Sequence, residues 1–188
     1  NKRDGNSFSS LGELNSEVRT YGYYGGIRLL KAAAKKFCDF VRENKLKIDA
    51  RNFSMCYSST IPNRLGLAGS SAIITSAVKA LSEFYGVEIE KPLLANLVLS
   101  VGREELNIPA GLQDRVAQAY NYPVYMDFDK DYMVEHGFGR YEKIVIPEEL
   151  NIYIAYRTDL AEGSEILHSR LRDDYEAGDR RVLAAMEE

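Results

Sequence analysis

The chain has 188 residues and a formal net charge of −4, with 45 % apolar and 28 % charged residues. This composition is ordinary for a globular protein, and the length suits one domain, or one domain and part of another. No basic stripe indicates a nucleic-acid-binding protein, and no apolar run is long enough to span a bilayer. We therefore expect a cytoplasmic protein without nucleic-acid or membrane partners, in which Cys38 and Cys56 stay reduced.

The first half of the chain is predicted to be mainly helical. Residues 1–20 are rich in Ser, Asn and Gly and are predicted to be a loop. Alternating residues at 53–58 predict a half-buried strand. A helix is predicted after Gly26, with an apolar face of Ile27, Leu30, Ala34, Phe37 and Val41, and another from Ser70 to Tyr85. A third is predicted from Pro92, with Leu93, Leu97 and Val101 on one face and Leu94 and Val98 beside it, and a short one after Gly111.

The second half of the chain changes to strand-like sequence. Residues 124–128, 143–146 and 151–156 each predict a strand, separated by turn residues. Helical sequence resumes near Gly163 and continues to the end, with a break at 178–179. Because helices and strands are mixed without strict alternation, the predicted fold class is α+β. The chain opens in loop-like sequence and ends inside a predicted helix, so we expect it to be a segment of a longer protein.

A glycine- and serine-containing loop precedes the third predicted helix. A loop of this kind at a helix N-terminus offers unpaired N–H groups and the positive end of the helix dipole, which suit a phosphate. The loop lysine of the Walker motif is absent. The alternative is an ordinary turn with one N-cap serine, but three small residues in a row exceed what a cap needs. The predicted phosphate-binding residues are Gly66, Leu67, Ala68, Gly69, Ser70, Ser71 and Ala72.

Acidic residues surround a second glycine turn, in residues 103–115. Asp114 follows this turn, where its carboxylate can face a cleft and accept or polarise the proton of an attacking hydroxyl. The alternative is that Asp114 only caps the first turn of its helix or stabilises it by its negative charge. Glu104 or Glu105 can complete a magnesium site with Ser71, since hard cations prefer oxygen ligands. The alternative for these two glutamates is a solvated helix end.

Glycines flank a pair of tyrosines in the third motif, Gly22-Tyr23-Tyr24-Gly25-Gly26. Glycines permit a ligand to approach the backbone closely, and tyrosines stack on sugars and bind their hydroxyl groups. The motif therefore predicts part of a sugar site. A helix entry with aromatic packing explains the same residues equally well, and both interpretations stay open.

Taken together, these motifs resemble the GHMP kinase superfamily, whose members phosphorylate small alcohols such as galactose, homoserine and mevalonate. Within it, the likeness is greatest to the plant-type glucuronokinases. The segments that carry the resemblance are 22–30, 66–73, 110–118 and 124–128. A serine-rich loop alone is a weak signal, but the same loop followed by Gly-Leu-Gln-Asp at 111–114 is a specific one.

The resemblance implies a role for individual residues. Residues 66–72 match the ATP phosphate-binding loop, with Ser71 contacting magnesium, and Asp114 matches the aspartate beside the substrate hydroxyl. Glu105 falls near the metal-binding glutamate of the family, with Glu104 as the alternative. The loop departs from the common Gly-Leu-Gly-Ser-Ser-Ala by one extra residue, Ala68. The implied substrate-binding residues are Tyr24, Gly25, Gly26, Gln113 and Arg115.

The resemblance also implies a fold and a reaction. Residues 1–120 would form part of a ribosomal-protein-like, ATP-binding N-terminal domain, and residues 121–188 the start of an α+β C-terminal domain. The implied activity is an ATP- and magnesium-dependent kinase for the anomeric hydroxyl of a sugar, with glucuronate as the best guess. The alternatives are a heptose- or fucose-type GHMP kinase and a non-catalytic nucleotide- or sugar-binding homologue. A uronate needs a cation for its carboxylate, and the candidates are Arg28, Arg64, Arg103 and Arg115.

Overall fold

The computed structural model describes residues 7–23, 27–62, 65–156, 171 and 173–187. Helices dominate this part of the chain, and two short strands form a sheet. The elements are α1 (Leu11–Tyr21), α2 (Arg28–Glu43), α3 (Gly69–Tyr85), α4 (Lys91–Ser100), a π-helical segment (Val101–Glu105), α5 (Gln113–Tyr120), β1 (Val124–Asp127), α6 (Lys130–His136), β2 (Arg140–Lys143) and α7 (Arg180–Glu187).

The core lies between the first five helices. Helix α2 packs against α1, α3 and α4, and α5 packs against α3 and α4. Phe37, Val78, Val98 and Val116 come from four different helices and are all fully buried. The helix predicted after Gly26 is confirmed as α2, and its predicted residues Leu30, Ala34, Phe37 and Val41 are buried. This core fixes the positions of α3 and α5, which carry the predicted phosphate loop and Asp114.

The prediction of a loop over residues 1–20 is wrong from Leu11 onward, where α1 begins; residues 7–10 form no helix, and residues 1–6 lie outside the described part of the chain. Ser10 caps this helix, and its hydroxyl accepts a hydrogen bond from the Glu13 N–H at 3.1 Å. Ser and Glu three residues apart form the start signal known as a capping box. Leu14 and Val18 are buried in the core. The composition of the segment is polar because its helix contributes only a few apolar side chains to the core.

The strand predicted at 53–58 does not form. Phe53 and Met55 are half-buried and Ser54 is exposed, so the expected alternation of burial is present at the start of this segment. A strand also needs a neighbour that takes up its backbone hydrogen bonds. No strand in the described part of the chain pairs with this segment. The alternation therefore identified the buried side chains without establishing a sheet.

One of the three later strands is confirmed. Strand β1 begins at Val124 as predicted and pairs with β2 in an antiparallel arrangement, Val124 opposite Lys143 and Asp127 opposite Arg140. The strand predicted at 143–146 is displaced, since β2 ends at Lys143. Residues 151–156 are exposed and form no strand, which corrects the third prediction. Beyond the bond from the Ile144 N–H to the Pro123 carbonyl, no strand in the described part of the chain pairs with the apolar runs at 144–146 and 151–156.

The predicted helix ends are largely confirmed. Gly86 ends α3 in a left-handed conformation, with φ 66° and ψ 32°, where glycine has no steric cost. Pro92 lies in the first turn of α4. Of the apolar residues predicted for α4, Leu94, Leu97 and Val98 are buried, whereas Leu93 is exposed. The break at 178–179 precedes α7, whereas the helix start predicted near Gly163 lies outside the described residues.

The described elements agree with an α+β class at the level of helices combined with a small sheet. The ribosomal-protein-like topology and the domain boundary after residue 120 stay predictions. Cys38 is buried and Cys56 is exposed, and both are free thiols. Across the described ranges, no helix combines the length and the apolar character needed to cross a membrane.

Candidate active site

The predicted phosphate loop forms a bend and the first turn of α3. Gly66 has φ 70°, a value that glycine adopts without strain. Ala68 is also left-handed, with φ 54° and ψ 30°, and it occupies the N-cap position of α3. A residue with a Cβ pays a steric cost in this conformation. The extra alanine noted in the sequence is therefore the most constrained point of the loop.

The start of α3 leaves backbone donors unpaired. Within the described residues, no acceptor takes the N–H groups of Gly69, Ser70 and Ser71, and no side chain caps the helix. The N–H of Ala72 is the first to be paired, with the Ala68 carbonyl at 3.0 Å. Helix α3 has 17 residues, so the positive end of its dipole also lies here. The arrangement is suited to an anion such as phosphate.

The two serines of the loop have different surroundings. Ser70 is exposed. Ser71 is buried, with 2 % of its surface exposed, and its hydroxyl donates to the Ala68 carbonyl at 2.9 Å. The same hydroxyl accepts a hydrogen bond from Gln118 Nε2 at 2.9 Å. The structure therefore joins the loop to α5 through Ser71.

Asp114 lies in the first turn of α5, and half of its side chain is exposed. Residues four apart on a helix share a face, so Asp114 and Gln118 lie on the same face, about 6 Å apart along the axis. Gln118 contacts Ser71 and Ala68 of the loop. Asp114 lies one helical turn before Gln118 on the same helix, and thus one turn from the residue of α5 that contacts the phosphate loop.

Arg115 is the buried cation of this region, with 7 % of its surface exposed. Its Nη1 donates to the Gly111 carbonyl at 3.1 Å and lies 3.5 Å from Asp114 Oδ2. Its Nε is buried and has no hydrogen-bond partner among the described residues. Burial lowers the pKa of Arg115, and the Asp114 carboxylate partly opposes this effect. The guanidinium is therefore incompletely paired beside the predicted catalytic carboxylate.

Glu105, the predicted metal ligand, belongs to a polar cluster between α1, α2 and the π-helical segment. Its carboxylate accepts a hydrogen bond from the Tyr23 hydroxyl and forms an ion pair with Lys35. Lys35 also lies 3.0 Å from Asp39. Glu104, the alternative, is exposed and pairs with Lys36. Among the described residues, no contact joins either glutamate to Ser71, so the structure does not bring these predicted metal residues together.

The pKa values of this cluster reflect burial and pairing. Burial and the hydrogen bond to Glu105 raise the pKa of Tyr23 well above its usual value. Burial lowers the pKa of Lys35, but its contacts with Glu105 and Asp39 outweigh burial and raise this pKa overall. Tyr23 therefore stays protonated and Lys35 stays charged at neutral pH, which preserves both partners of Glu105.

The remaining predicted residues have varied positions. Gln113 is exposed and is the first residue of α5. Arg28 and Arg103 are exposed at the start of α2 and in the π-helical segment. The residues outside the described part of the chain are Tyr24, Gly25, Gly26 and Arg64.

Three residues in these contacts, Gln118, Lys35 and Asp39, are not candidates in the sequence analysis. Gln118 follows Asp114 by four residues, and this helical spacing was a signal that both face the same way. Lys35 and Asp39 are also four residues apart, which is the spacing of an ion pair on a helix. In both cases the spacing predicts a shared face, whereas the partner on the neighbouring element emerges only from the packing.

Comparison with known proteins identifies the family. Residues 28–122 match the model of the GHMP kinases N-terminal domain. The chain is 39 % identical to Glucuronokinase 1 of Arabidopsis thaliana over 183 residues, and 38 % identical to Probable glucuronokinase 2 of the same plant over 184 residues. Each match covers 96 % of this chain and 50 % of the relative.

A more distant relative is the D-glycero-alpha-D-manno-heptose 7-phosphate kinase of Campylobacter jejuni, 25 % identical over 135 residues, which are 72 % of this chain and 39 % of that protein. No solved structure matches the chain significantly. The chain spans about half the length, or less, of the curated relatives it matches. The family match covers half of the chain and includes α2 to α5, with the phosphate loop and Asp114. The chain therefore belongs to the GHMP kinase family.

Proposed function

We propose that this chain is part of an ATP- and magnesium-dependent kinase that phosphorylates the anomeric hydroxyl of glucuronate. Two relatives named glucuronokinases support this proposal, since they match 96 % of the chain at 38–39 % identity. The observation that carries it is the junction between α3 and α5, where Gln118 contacts the phosphate loop one turn away from Asp114. Phosphoryl transfer needs this combination of an anion site and a carboxylate.

The N-terminus of α3 would hold the phosphates of ATP. The free N–H groups of Gly69, Ser70 and Ser71 would bind phosphate oxygens, and the exposed hydroxyl of Ser70 would add a donor. Donors fixed by a helix need little reorganisation when charge develops on the transferred phosphoryl group. The loop would thus replace the lysine-containing P-loop of other kinases.

Asp114 would act on the sugar hydroxyl. The hydroxyl oxygen attacks the γ-phosphorus, the bond to the β-phosphate oxygen breaks, and ADP leaves. The Asp114 carboxylate orients the hydroxyl and accepts its proton. Its half-exposed side chain is accessible to a substrate, and Arg115 Nη1 lies 3.5 Å from its Oδ2.

Magnesium would neutralise charge on the ATP phosphates. Among the described residues, no group of three or more His, Cys, Asp or Glu side chains could hold a metal ion. This agrees with a Mg²⁺ held mainly by phosphates and water with few protein ligands. Ser71 keeps one lone pair for a cation, whereas Glu105 would have to release Lys35 or Tyr23. We therefore place the metal on the Ser71 side of the site and retain Glu105 as a ligand to be tested.

Arg115 would recognise the carboxylate of a uronate. Its guanidinium is incompletely paired and adjoins Asp114, so a substrate held by Asp114 is close to it. An arginine binds a carboxylate through two parallel hydrogen bonds, which a neutral sugar cannot accept. We place Gln113, Tyr24, Gly25 and Gly26 in the same substrate site.

The test is ADP release by the full-length protein with ATP, Mg²⁺ and a panel of sugars. We expect turnover of glucuronate, with galacturonate, glucose and fucose much slower. The heptose 7-phosphate kinase relative makes a heptose phosphate the most informative competitor in the panel. Rapid turnover of a heptose or fucose derivative without turnover of glucuronate would refute glucuronate as the substrate. If no sugar were phosphorylated, the proposed kinase activity would be refuted.

A further inference from the structure

The side-chain amide of Gln118 connects α5 to two turns of α3. Its Nε2 donates to the Ser71 hydroxyl at 2.9 Å and to the Ala68 carbonyl at 3.2 Å. Its Oε1 accepts a hydrogen bond from the Thr75 hydroxyl at 3.1 Å. A carbonyl can only accept, so the contact with Ala68 fixes which end of the amide faces the loop. Both N–H groups and the carbonyl of the amide are thereby used.

These contacts determine what the Ser71 hydroxyl can do. A serine hydroxyl has one proton to donate and two lone pairs. The proton goes to the Ala68 carbonyl, and Gln118 takes one lone pair. One lone pair remains, which can coordinate a cation or accept a hydrogen bond but cannot bond to a phosphate oxygen. Gln118 therefore orients Ser71 as an acceptor.

The Ala68 carbonyl receives three donors: the Ser71 hydroxyl at 2.9 Å, the Ala72 N–H at 3.0 Å and Gln118 Nε2 at 3.2 Å. Ala68 is left-handed, a conformation that alanine leaves when nothing holds it. Gln118 supplies the donor that comes from outside α3. It thus holds the peptide group immediately before the three free N–H groups.

We propose that Gln118 is a positioning residue that fixes the phosphate loop and its distance from Asp114. The inference rests on the proposed kinase function, and it assigns Gln118 no contact with substrate. Gln118 and Asp114 are on one face of the rigid helix α5, so the contact that holds the loop also sets where the loop lies relative to the carboxylate. Loss of the amide lets Ala68 relax, which moves the nucleotide phosphates away from the sugar hydroxyl.

The test compares Gln118→Met and Gln118→Glu in the full-length protein. Met keeps the length of the side chain without its hydrogen bonds. Glu keeps the acceptor for Thr75, but it replaces the donor to Ala68 and adds negative charge beside the loop. We expect the KM for ATP to rise about tenfold with Met and more with Glu, kcat to fall, and the KM for the sugar to stay within twofold.

The matched control is Lys79→Met. Lys79 Nζ donates to the backbone carbonyl of Gln118 at 2.7 Å, so this variant removes a contact with the same residue while leaving its side chain in place. We expect its kinetic constants to stay within twofold of the wild type. A purely structural role for Gln118 predicts instead that Gln118→Met and Lys79→Met differ only in thermal stability.

A double-mutant cycle with Ser71→Ala tests the route of the effect. Because Gln118 still donates to the Ala68 carbonyl in Ser71→Ala, the double variant should bind ATP more weakly than Ser71→Ala alone, and no further loss would refute Ala68 as the route. ATP binding is measured by calorimetry, which does not require turnover. An inactive wild-type protein would refute the proposed kinase, whereas an active wild type with an unchanged KM for ATP in both Gln118 variants would refute the positioning role. If Gln118→Met does not fold, the KM for ATP of Gln118→Glu decides whether Gln118 positions the loop.

Discussion

Lys35 of α2 forms an ion pair with Glu105 of the π-helical segment, and both side chains are nearly buried, at 13 % and 11 % exposure. Asp39 lies on the other side of the Lys35 ammonium group at 3.0 Å. The lysine therefore joins two carboxylates and connects α2 to the segment that precedes Asp114. In the sequence Glu105 was a candidate metal ligand, and in the structure it has protein partners.

Glu105→Gln should lower the stability of the protein without changing its requirement for Mg²⁺. The substitution leaves Lys35 with one carboxylate fewer, and removing one partner of a buried pair costs about 3 kcal/mol. Urea denaturation measures the loss, and the Mg²⁺ concentration for half-maximal kinase activity tests the metal role. Glu104→Gln is the control, because Glu104 is 62 % exposed and its pair with Lys36 should contribute little. A large rise in the Mg²⁺ requirement for Glu105→Gln would restore Glu105 as a metal ligand.

Asp114→Asn should reduce kcat by about 10²- to 10⁴-fold, the contribution of a positioned acid or base. The amide keeps the size of the side chain but cannot accept the hydroxyl proton. ATP binding should persist, because the loop donors are on α3. Rapid-quench kinetics and calorimetric ATP titration measure the two effects. If the full-length wild-type protein binds ATP but phosphorylates nothing, the non-catalytic alternative is correct.

Arg115→Met should discriminate between acidic and neutral sugars. Loss of the guanidinium should raise the KM for glucuronate by about tenfold or more, equivalent to one lost charged hydrogen bond. The KM for a neutral sugar that the enzyme accepts slowly should change little. Arg103→Met, at an exposed position, serves as the comparison. Equal losses for acidic and neutral sugars in Arg115→Met would show that Arg115 acts on Asp114 or on the fold.

Asp39 should make the protein sensitive to acid. Burial raises the pKa of Asp39, but hydrogen bonds from Lys35, Asn15 and Arg19 outweigh it and hold this pKa below its usual value. A depressed pKa contributes stability above the unfolded value of about 3.9, and this stability is lost as the pH falls through the folded value. Asp39→Asn should therefore cost about 2 kcal/mol at pH 7 and progressively less below pH about 4. Denaturation curves from pH 2 to 7 measure the difference, and a constant difference would contradict the assignment.

Ala68 should tolerate glycine better than a branched side chain. Ala68→Val introduces a β-branched residue at a left-handed position and should cost about 1–3 kcal/mol. Ala68→Gly removes the steric strain but increases the entropy of the unfolded chain, so its net effect should be within about 1 kcal/mol. Urea denaturation of both variants provides the comparison. Equal stability of the two variants would contradict the left-handed conformation of Ala68.

The helices that carry the site could be predicted because their signals are local. Gly86 and Pro92 mark helix boundaries through their own backbone properties, and residues 113–120 show helical spacing within eight residues. Helix α1 also carries a local signal, because Ser10 caps it and Glu13 follows three residues later, but the polar composition of the segment favours a loop. The wrong loop prediction therefore concerned the interpretation of the sequence, since the signal was present.

The contacts across the site could not be predicted in the same way. Ser71 and Gln118 are 47 residues apart, and Lys35 and Glu105 are 70 residues apart. Each contact depends on how the helices pack, which spacing within one helix does not specify. The missing strands have a similar cause, since alternation identifies side chains that face the core but not the neighbour that completes a sheet.

The segment from Ile144 to Tyr156 has a practical consequence for handling the protein. Val145, Ile152, Tyr153 and Ile154 are 65–88 % exposed and have high intrinsic preference for β-structure. Within the described residues no strand pairs with residues 145–156, and a backbone without a strand partner that carries apolar side chains is a template for intermolecular strand pairing. Preparations of this chain by itself should accordingly form concentration-dependent aggregates, and a charged residue placed at Ile154 should increase the yield of monodisperse material.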